Sequence, residues 1–421
     1  MKQTVIIADD LTGACDSGVQ LTEKGLNVIV SLDKEAPTLH TDVIIFDTDS
    51  RAMSKDEAYQ TVKHIASKID KKKAGIVYKK VDSTLRGNIG SEIDALMDQL
   101  SYDLAVIAPA LPSLNRTTKN GIHYLNQIPI EKTEVAKDPK TPVTDSDIVR
   151  LLSNQSSREP VLFPRELLKE EKKVISGKAE SLLEQNKTLF VFDAENDQDL
   201  TDIVACFKEL PYDILWAGSA GLAEKLPVEW EMNEKPMQHL VGKQNPGPVL
   251  VVSGSRSSVT QNQIKRVSEC LKIEIVELNP AKLIDEEDRQ TEMMRCHADL
   301  NKYLKDGKDA ILYVSQNESM SVSGRDEMPY LISEALGIIV AGIVDECQLK
   351  GMVVAGGDTA KSISRELGVQ GIQIIKEIEP GLPLSIMIGG PLLPIVTKAG
   401  AFGTKDSLYH ALKLLKGEFT S

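Results

Sequence analysis

Four short apolar segments in the first half of the chain each run into a burst of carboxylates, hydroxyls and basic side chains. Residues 4–8 lead into Asp9-Asp10-Leu11-Thr12-Gly13, and residues 43–46 into Asp47-Thr48-Asp49-Ser50-Arg51. Residues 75–78 lead into Lys79-Lys80-Val81-Asp82-Ser83-Thr84-Leu85-Arg86-Gly87. Residues 104–108 lead into Pro109-Ala110-Leu111-Pro112, with Asn115-Arg116-Thr117 just beyond. Such a mixture suits a small polyhydroxy acid, because basic groups hold its carboxylate while Asp, Ser and Thr bond its hydroxyls. Arg51 and Arg86 each offer a fork that grips a carboxylate through two parallel N–H bonds. Strand-end Asp and Ser also cap helices, and for any one residue that plainer role weighs as much. Caps do not require Lys79, Lys80, Arg51, Arg86 and Arg116 to converge.

The second half supplies backbone-rich loops instead. Residues 249–252 run into Ser253-Gly254-Ser255-Arg256-Ser257-Ser258, then a helix with Ile264, Val267 and Leu271 on one face. Residues 352–355 run into Gly356-Gly357-Asp358-Thr359-Ala360-Lys361-Ser362, which again opens a helix. A third loop, Lys398-Ala399-Gly400-Ala401-Phe402-Gly403-Thr404, precedes a helix at 407–416. Paired glycines after a strand let the backbone approach a phosphate, and a helix N-terminus adds N–H donors and partial positive charge. No GxxxxGKS/T P-loop and no strand-linked GxGxxG occurs, so both the Walker type of phosphate loop and a dinucleotide fingerprint are missing.

The elements that must position these groups are β-branched apolar runs alternating with longer amphipathic segments. This is the pattern of an α/β protein with largely parallel sheets flanked by helices. Further strands are expected at 189–192, 214–217, 273–278, 310–314, 372–376 and 384–388. Length fits two domains of roughly 150–200 residues each, placed at 1–235 and 246–421 around a Pro- and Gly-punctuated stretch near 235–246. Segment 112–164, rich in Pro, Thr and Asn, reads as a long irregular insert. Such inserts are lids, binding loops or subunit contacts, and a homodimer is an assembly it allows.

Bulk properties narrow the partners. Of 421 residues 41% are hydrophobic, enough for buried cores, and the formal charge is −13. That charge disfavours nucleic acid, whose phosphates need clustered basic groups. The cysteines Cys15, Cys206, Cys270, Cys296 and Cys347 are scattered, without CxxC spacing, and the histidines form no HExxH. Neither a disulfide framework nor a zinc site is expected. No secretory signal is read at the N-terminus and no apolar stretch nears the roughly 20 residues of a membrane span, so a cytoplasmic protein without membrane contact is expected. The run Asp285-Glu286-Glu287-Asp288 reads as a solvated helix start.

With these stretches in view, the chain resembles the four-carbon acid sugar kinase family over nearly its whole length. The resemblance rests on Ile7-Ala8-Asp9-Asp10-Leu11-Thr12-Gly13-Ala14, on Lys80-Val81-Asp82-Ser83-Thr84-Leu85-Arg86-Gly87-Asn88 and on Ser253-Gly254-Ser255. It rests also on Gly356-Gly357-Asp358-Thr359 and Lys398-Ala399-Gly400-Ala401-Phe402-Gly403. It implies a sugar-acid domain and a nucleotide domain facing each other across a cleft, and phosphorylation of the 4-hydroxyl of threonate, erythronate or a 3-oxo-tetronate. The substrate would be held by Asp9, Asp10, Arg51, Lys80, Asp82, Ser83, Thr84, Leu85 and Arg86. ATP would be held by Ser255, Gly356, Gly357, Asp358, Thr359, Gly400 and Gly403, with Mg²⁺ on its phosphates through ligands that stay open. Asp358 and Asp10 are the candidates for the group that orients or deprotonates the attacking hydroxyl, and Asp358 is equally a candidate metal ligand or helix cap. The alternatives are an NAD-dependent hydroxy-acid oxidoreductase, opposed by the missing GxGxxG, and a non-catalytic sugar-acid sensor, opposed by the intact phosphate loops.

Overall fold

The computed structural model describes residues 3–32, 41–138, 140–226, 247–315 and 327–418. The chain splits into two compact units, Met1–Val28 with Lys34–Asn233 and Ile29–Asp33 with Glu234–Ser421. The linker expected at 235–246 lies outside the described residues. Strands follow in order as β1 (Gln3–Ala8), β2 (Val28–Ser31), β3 (Val43–Asp47), β4 (Ala74–Lys80), β5 (Leu104–Ala108) and β6 (Arg116–Lys119). Next come β7 (Ile122–Leu125), β8 (Ile128–Pro129), β9 (Pro160–Phe163), β10 (Leu189–Phe192), β11 (Ile214–Gly218) and β12 (Val249–Ser253). The last are β13 (Glu274–Leu278), β14 (Ala310–Val314), β15 (Gly351–Ala355), β16 (Gly371–Glu377), β17 (Pro383–Ile388) and β18 (Pro394–Lys398).

In the first unit β3-β1-β4-β11-β5-β10-β9 form a sheet in which every neighbour is parallel. Ile6, Ile7, Val43, Ile45 and Val106 are buried without alternation, because helices cover both faces of such a sheet. One core gathers Val5, Ile7, Phe46, Val62, Ile93 and Leu96. At the β9 edge Phe163, Phe190, Phe192 and Phe207 pack with ring centroids 4.9–6.2 Å apart. The chain leaves β1 for β3 on one side, then crosses to β4 on the other. That reversal opens a crevice at the carboxyl end of β1, where Asp9 and Asp10 stand.

The 112–164 insert is more regular than its composition suggests. β6, β7 and β8 form a small antiparallel sheet, and helix Ile148–Gln155 and β9 follow. The turn between β6 and β7 is Asn120-Gly121, at φ 51° and 75°, the dipeptide that a two-residue hairpin demands.

In the second unit the order is β13-β14-β12-β15-β18-β17-β16-β2. Neighbours from β13 to β18 are parallel, and β17 runs antiparallel to both β18 and β16. The β2 segment, drawn from early in the chain, is tied to this sheet by Leu32 N–H donating to Gln370 O at 2.9 Å. Its short apolar sequence carries no sign of that destination. The chain leaves β12 for β13 and β14 on one side and returns to β15 on the other, so a second crevice opens at the carboxyl end of β12. Val249, Val251, Val353, Leu384 and Leu412 are among its core residues.

One helix departs from the expectation on apolar length. Met328–Glu346 has 19 residues, mean hydropathy 1.6, and is long and apolar enough to cross a membrane. It buries Ile332, Leu336, Ile339, Val340 and Ile343, and at Gly337 it packs so closely on helix Gly357–Glu366 that an added Cβ would meet Ser362 Oγ at 2.5 Å. Tyr330 and Ile338 stay exposed. Its apolarity is that of a core helix covered over part of its girth. The acidic run behaves as expected: Asp285 Oδ1 accepts from the N–H groups of Glu287 and Asp288 at 3.0 and 3.1 Å, starting helix Glu286–Lys305.

Candidate active site

The end of β1 brings two adjacent aspartates to the crevice of the first unit. Asp10 N-caps helix Leu11–Glu23, accepting from Gly13 N at 2.9 Å. Arg51, beyond β3, lies across both acids. Its Nε and Nη2 donate to Asp9 at 2.7 and 3.0 Å, and its Nη1 and Nη2 to Asp10 at 2.8 and 2.7 Å. The guanidinium is thereby committed to the protein's own carboxylates, which it holds in one orientation. Asp9 is sealed, with 3% of its side chain exposed, whereas 21% of the Asp10 side chain reaches solvent.

Their protonation tendencies diverge. Burial works to raise Asp9, but Arg51, with Lys79 and Lys80, holds it below the usual carboxylate range. Asp10 is pushed up, by burial first and also by the charges of Asp9 and Asp82, against the pull of Arg51 and Lys80. The accessible acid is therefore the more basic of the two, as a group that accepts a proton requires.

The loop after β4 is organised by Asp82. Its Oδ2 accepts from the N–H groups of Thr84 and Arg86 at 3.2 Å each, from Arg86 Nε at 2.9 Å and from the Thr84 hydroxyl. Arg86 Nη2 reaches Asp82 Oδ1 at 3.1 Å, and Nη1 reaches Asp138 at 3.2 Å. Against the penalty of burial, Arg51 and Arg86 hold the Asp82 carboxyl well below its ordinary value. This web carries Leu85 at φ 63°, a conformation that costs a bulky residue about 1–2 kcal/mol.

Strand alternation separates Lys79 from Lys80. Lys79 is fully buried and pairs with Glu92 of helix Ile89–Leu100 at 2.7 Å, with Ser50 Oγ donating to the same carboxylate at 2.6 Å. It supports the site from beneath rather than converging on a ligand. Lys80 points to the other face, where Nζ donates to Val81 O at 2.9 Å. A Cβ on Gly13 would stand 2.9 Å from that ammonium and 2.7 Å from Asp10 Oδ1, so a side chain there would displace one of these two groups. Beside the cluster a cavity of about 310 Å³ is lined by Arg51, Leu85, Gly87, Lys140, Thr141 and Gln155. The insert thus contributes to its wall.

In the second unit the loops after β12, β15 and β18 meet. Gly356 has φ 121°, a conformation closed to side-chain-bearing residues, and fronts helix Gly357–Glu366, whose N-terminus has no side-chain cap. Asp358 and Thr359 lie in its first turn. Gly400 packs on the Ser255 side chain, and its carbonyl accepts from Thr260 Oγ1 at 2.5 Å and from Lys398 Nζ at 3.3 Å. Ser253, at the very end of β12, is fully buried, and among the described residues its hydroxyl makes no hydrogen bond. A glycine-fronted helix N-terminus, an unmet buried hydroxyl and a nearby lysine form a donor set suited to polyphosphate. Gly403, three residues past Gly400, instead lines a cavity of about 560 Å³ with Val259, Asn262, Arg266 and Lys405.

The residues expected from sequence thus fall into two groups. Asp9, Asp10, Arg51, Lys80 and the 82–86 loop gather in one unit, and Ser255, the 356–359 turn and Gly400 in the other. Ser253 and Lys398 belong to the motif loops read from sequence but carry no assigned role there, and His123 reads as a structural residue of the insert. His123 donates from Nε2 to Ser83 O at 2.9 Å and accepts at Nδ1 from Thr118 Oγ1 at 3.0 Å; the Asn120-Gly121 turn was the available signal for its hairpin.

A family model described as a sugar-binding N-terminal domain matches residues 4–226, and one described as a nucleotide-binding C-terminal domain matches residues 250–408. The chain is therefore a two-domain protein that joins a sugar-binding to a nucleotide-binding domain. A D-threonate kinase of Salmonella typhimurium is 33% identical over 422 residues, covering 97% of each chain. A D-erythronate kinase of Heliobacterium modesticaldum is 30% identical, over 97% of this chain and 95% of its own. A 3-oxo-tetronate kinase of Pseudomonas savastanoi pv. phaseolicola is 28% identical, over 98% and 97%. The chain belongs to the four-carbon acid sugar kinase family. Two crystal structures, from Salmonella typhimurium LT2 and Haemophilus influenzae, share its fold. Their TM-scores are 0.81 and 0.72, each at 24% identity, over 98% and 99% of this chain and 99% and 100% of theirs.

Proposed function

We propose that this chain transfers the γ-phosphoryl group of ATP to the terminal 4-hydroxyl of a four-carbon sugar acid of the threonate or erythronate type. The observation that carries the reading is Asp10: a carboxylate oriented by Arg51, raised in basicity, and open to solvent at a strand-switch crevice. The 4-hydroxyl donates to Asp10, which takes its proton as the oxygen–phosphorus bond forms and the bond to ADP breaks. Asp9 and Arg51 fix the geometry, and the 82–85 loop with Ser83 and Thr84 meets the remaining hydroxyls. Lys80, whose Nζ has no carboxylate within 4 Å among the described residues, offsets charge on the transferring group.

The nucleotide's phosphates are held by Ser253, Ser255, the first turn of helix Gly357–Glu366 and the loop around Gly400. Among the described residues no group of three or more His, Cys, Asp or Glu is placed to hold a metal ion. Mg²⁺ would accompany ATP and offset the charge on its phosphates. The names of the relatives support the substrate class.

A coupled ADP-release assay against D- and L-threonate, D- and L-erythronate and 3-oxo-tetronates tests the proposal. Substrate-dependent turnover on one of them is expected. Silence on all, with ATP still bound, would move the acceptor outside the four-carbon acids.

A further inference from the structure

Arg51, Arg86 and Arg116 follow β3, β4 and β5 in the first unit, and two of these three guanidinium groups are already spent. Arg51 makes four hydrogen bonds to Asp9 and Asp10. Arg86 makes three, to Asp82 and Asp138. Arg116 differs from both. Among the described residues its guanidinium makes one hydrogen bond, from Nη1 to the neutral hydroxyl of Ser83, and has no carboxylate within ion-pair distance. Its Nε is buried and among the described residues makes no hydrogen bond, so the edge formed by Nε and Nη2 has no carboxylate partner. That edge is the one that takes a carboxylate with two parallel N–H bonds.

An unmet buried donor on a cation is costly, and it is a position that a ligand or an ordered water completes. Here the mounting is also rigid. Arg116 and Leu111 exchange backbone bonds at 2.8 and 3.1 Å, and Thr118 exchanges bonds with Ala194 at 2.9 and 3.0 Å. The turn of the hairpin is pinned by Asp193, which accepts from Asn120 N and Gly121 N at 2.9 Å each. One strand on, His123 holds the carbonyl of the same Ser83 whose hydroxyl Arg116 binds. Burial lowers His123 to about 4, so it stays a neutral clamp. The β6–β7 hairpin therefore sets Arg116 at a fixed distance from the 82–85 loop, as a preorganised recognition group requires. Burial weighs against its charge first, Asp82, Asp16 and Glu134 favour it from farther off, and Arg86 opposes it; among the described residues none of these carboxylates lies within ion-pair distance.

We infer that Arg116 is a substrate-binding residue whose Nε–Nη2 edge receives the carboxylate of the acceptor acid, leaving the opposite, 4-hydroxyl end of the chain for Asp10. The inference rests on the proposed function and adds the anchor that Arg51, committed to Asp9 and Asp10, does not supply.

Titration calorimetry on the full chain with the tetronate it phosphorylates, and with the uncharged carboxamide of that acid, tests the assignment. Arg116→Gln keeps a donor for Ser83 but loses the charge, and should weaken the acid's binding roughly 100-fold while leaving the carboxamide's unchanged. Arg116→Lys should recover part of the loss, and the KM for ATP should not move in either variant. Equal losses for acid and carboxamide, or no loss for the acid, would overturn the inference by reducing Arg116 to a support for Ser83. Should the unaltered chain phosphorylate no tetronate, the functional reading fails first and the Arg116 assignment with it.

Discussion

Asp9 and Asp10 are adjacent in sequence and share one arginine, yet they are fitted for different tasks. Asp9 is enclosed and kept charged, while Asp10 keeps a solvent-facing oxygen and a raised proton affinity. If Asp10 receives the hydroxyl proton, activity is lost as it protonates, so kcat/KM should fall on the acid side with a midpoint above the ordinary 3.8. Asp10→Asn retains a helix cap and should lower kcat by about 10²–10⁴-fold while erasing that acid limb. An unchanged kcat, with the loss appearing in Asp358→Asn instead, would shift the proton-accepting role to Asp358. Lys398 makes a complementary case on the nucleotide side. Burial lowers its ammonium to about 8, so the charge it offers to phosphate fades as pH rises through that value. The kcat/KM for ATP should decline above about pH 8, and Lys398→Arg, charged throughout, should flatten the decline. A decline that persists in the arginine variant would clear Lys398 of responsibility.

At the scale of elements, the alternation of β4 explains why two adjacent lysines part company. Lys79 enters a fully buried pair with Glu92, and Lys80 faces the crevice. Lys79→Met strands the Glu92 carboxylate in the core and should destabilise the first unit by about 3–5 kcal/mol in urea unfolding. Lys79→Met combined with Glu92→Leu should recover much of this, and a single variant as stable as the parent would contradict the reading. The sequence made the strand ends legible because parallel strands buried on both faces are near-continuous apolar runs that stop at polar loops. It did not disclose which face each lysine takes, since that depends on the strand's pleat phase relative to the helices. Nor did it disclose that Arg51 is consumed by Asp9 and Asp10, a matter of side-chain contact. The β6–β7 hairpin was readable from Asn120-Gly121, but Arg-Thr-Thr-Lys is too short and polar to announce a strand. The glycine at 356 was legible as a phosphate-loop residue, and φ 121° gives the reason only glycine serves there.

Across the whole molecule, each unit places its chemistry where the strand order reverses, Asp9 and Asp10 after β1 and Ser253 to Ser255 after β12. Topology, more than any single motif, makes these two loops the functional ones. The formal charge of −13 does not oppose anionic ligands, because local groups such as Lys80, Arg116 and Lys398 act within a Debye length of about 8–10 Å. What sequence could not reveal at this scale is the allotment of Ile29–Asp33 to the second unit, a long-range pairing with no local signature. The most direct test of the account is the position of the transferred phosphate. With ATP and the tetronate that gives turnover, phosphorus–proton coupled NMR of the product should show the phosphorus coupled to the two C4 methylene protons. Coupling to a C2 or C3 methine proton, an acyl phosphate, or inorganic phosphate alone would contradict it.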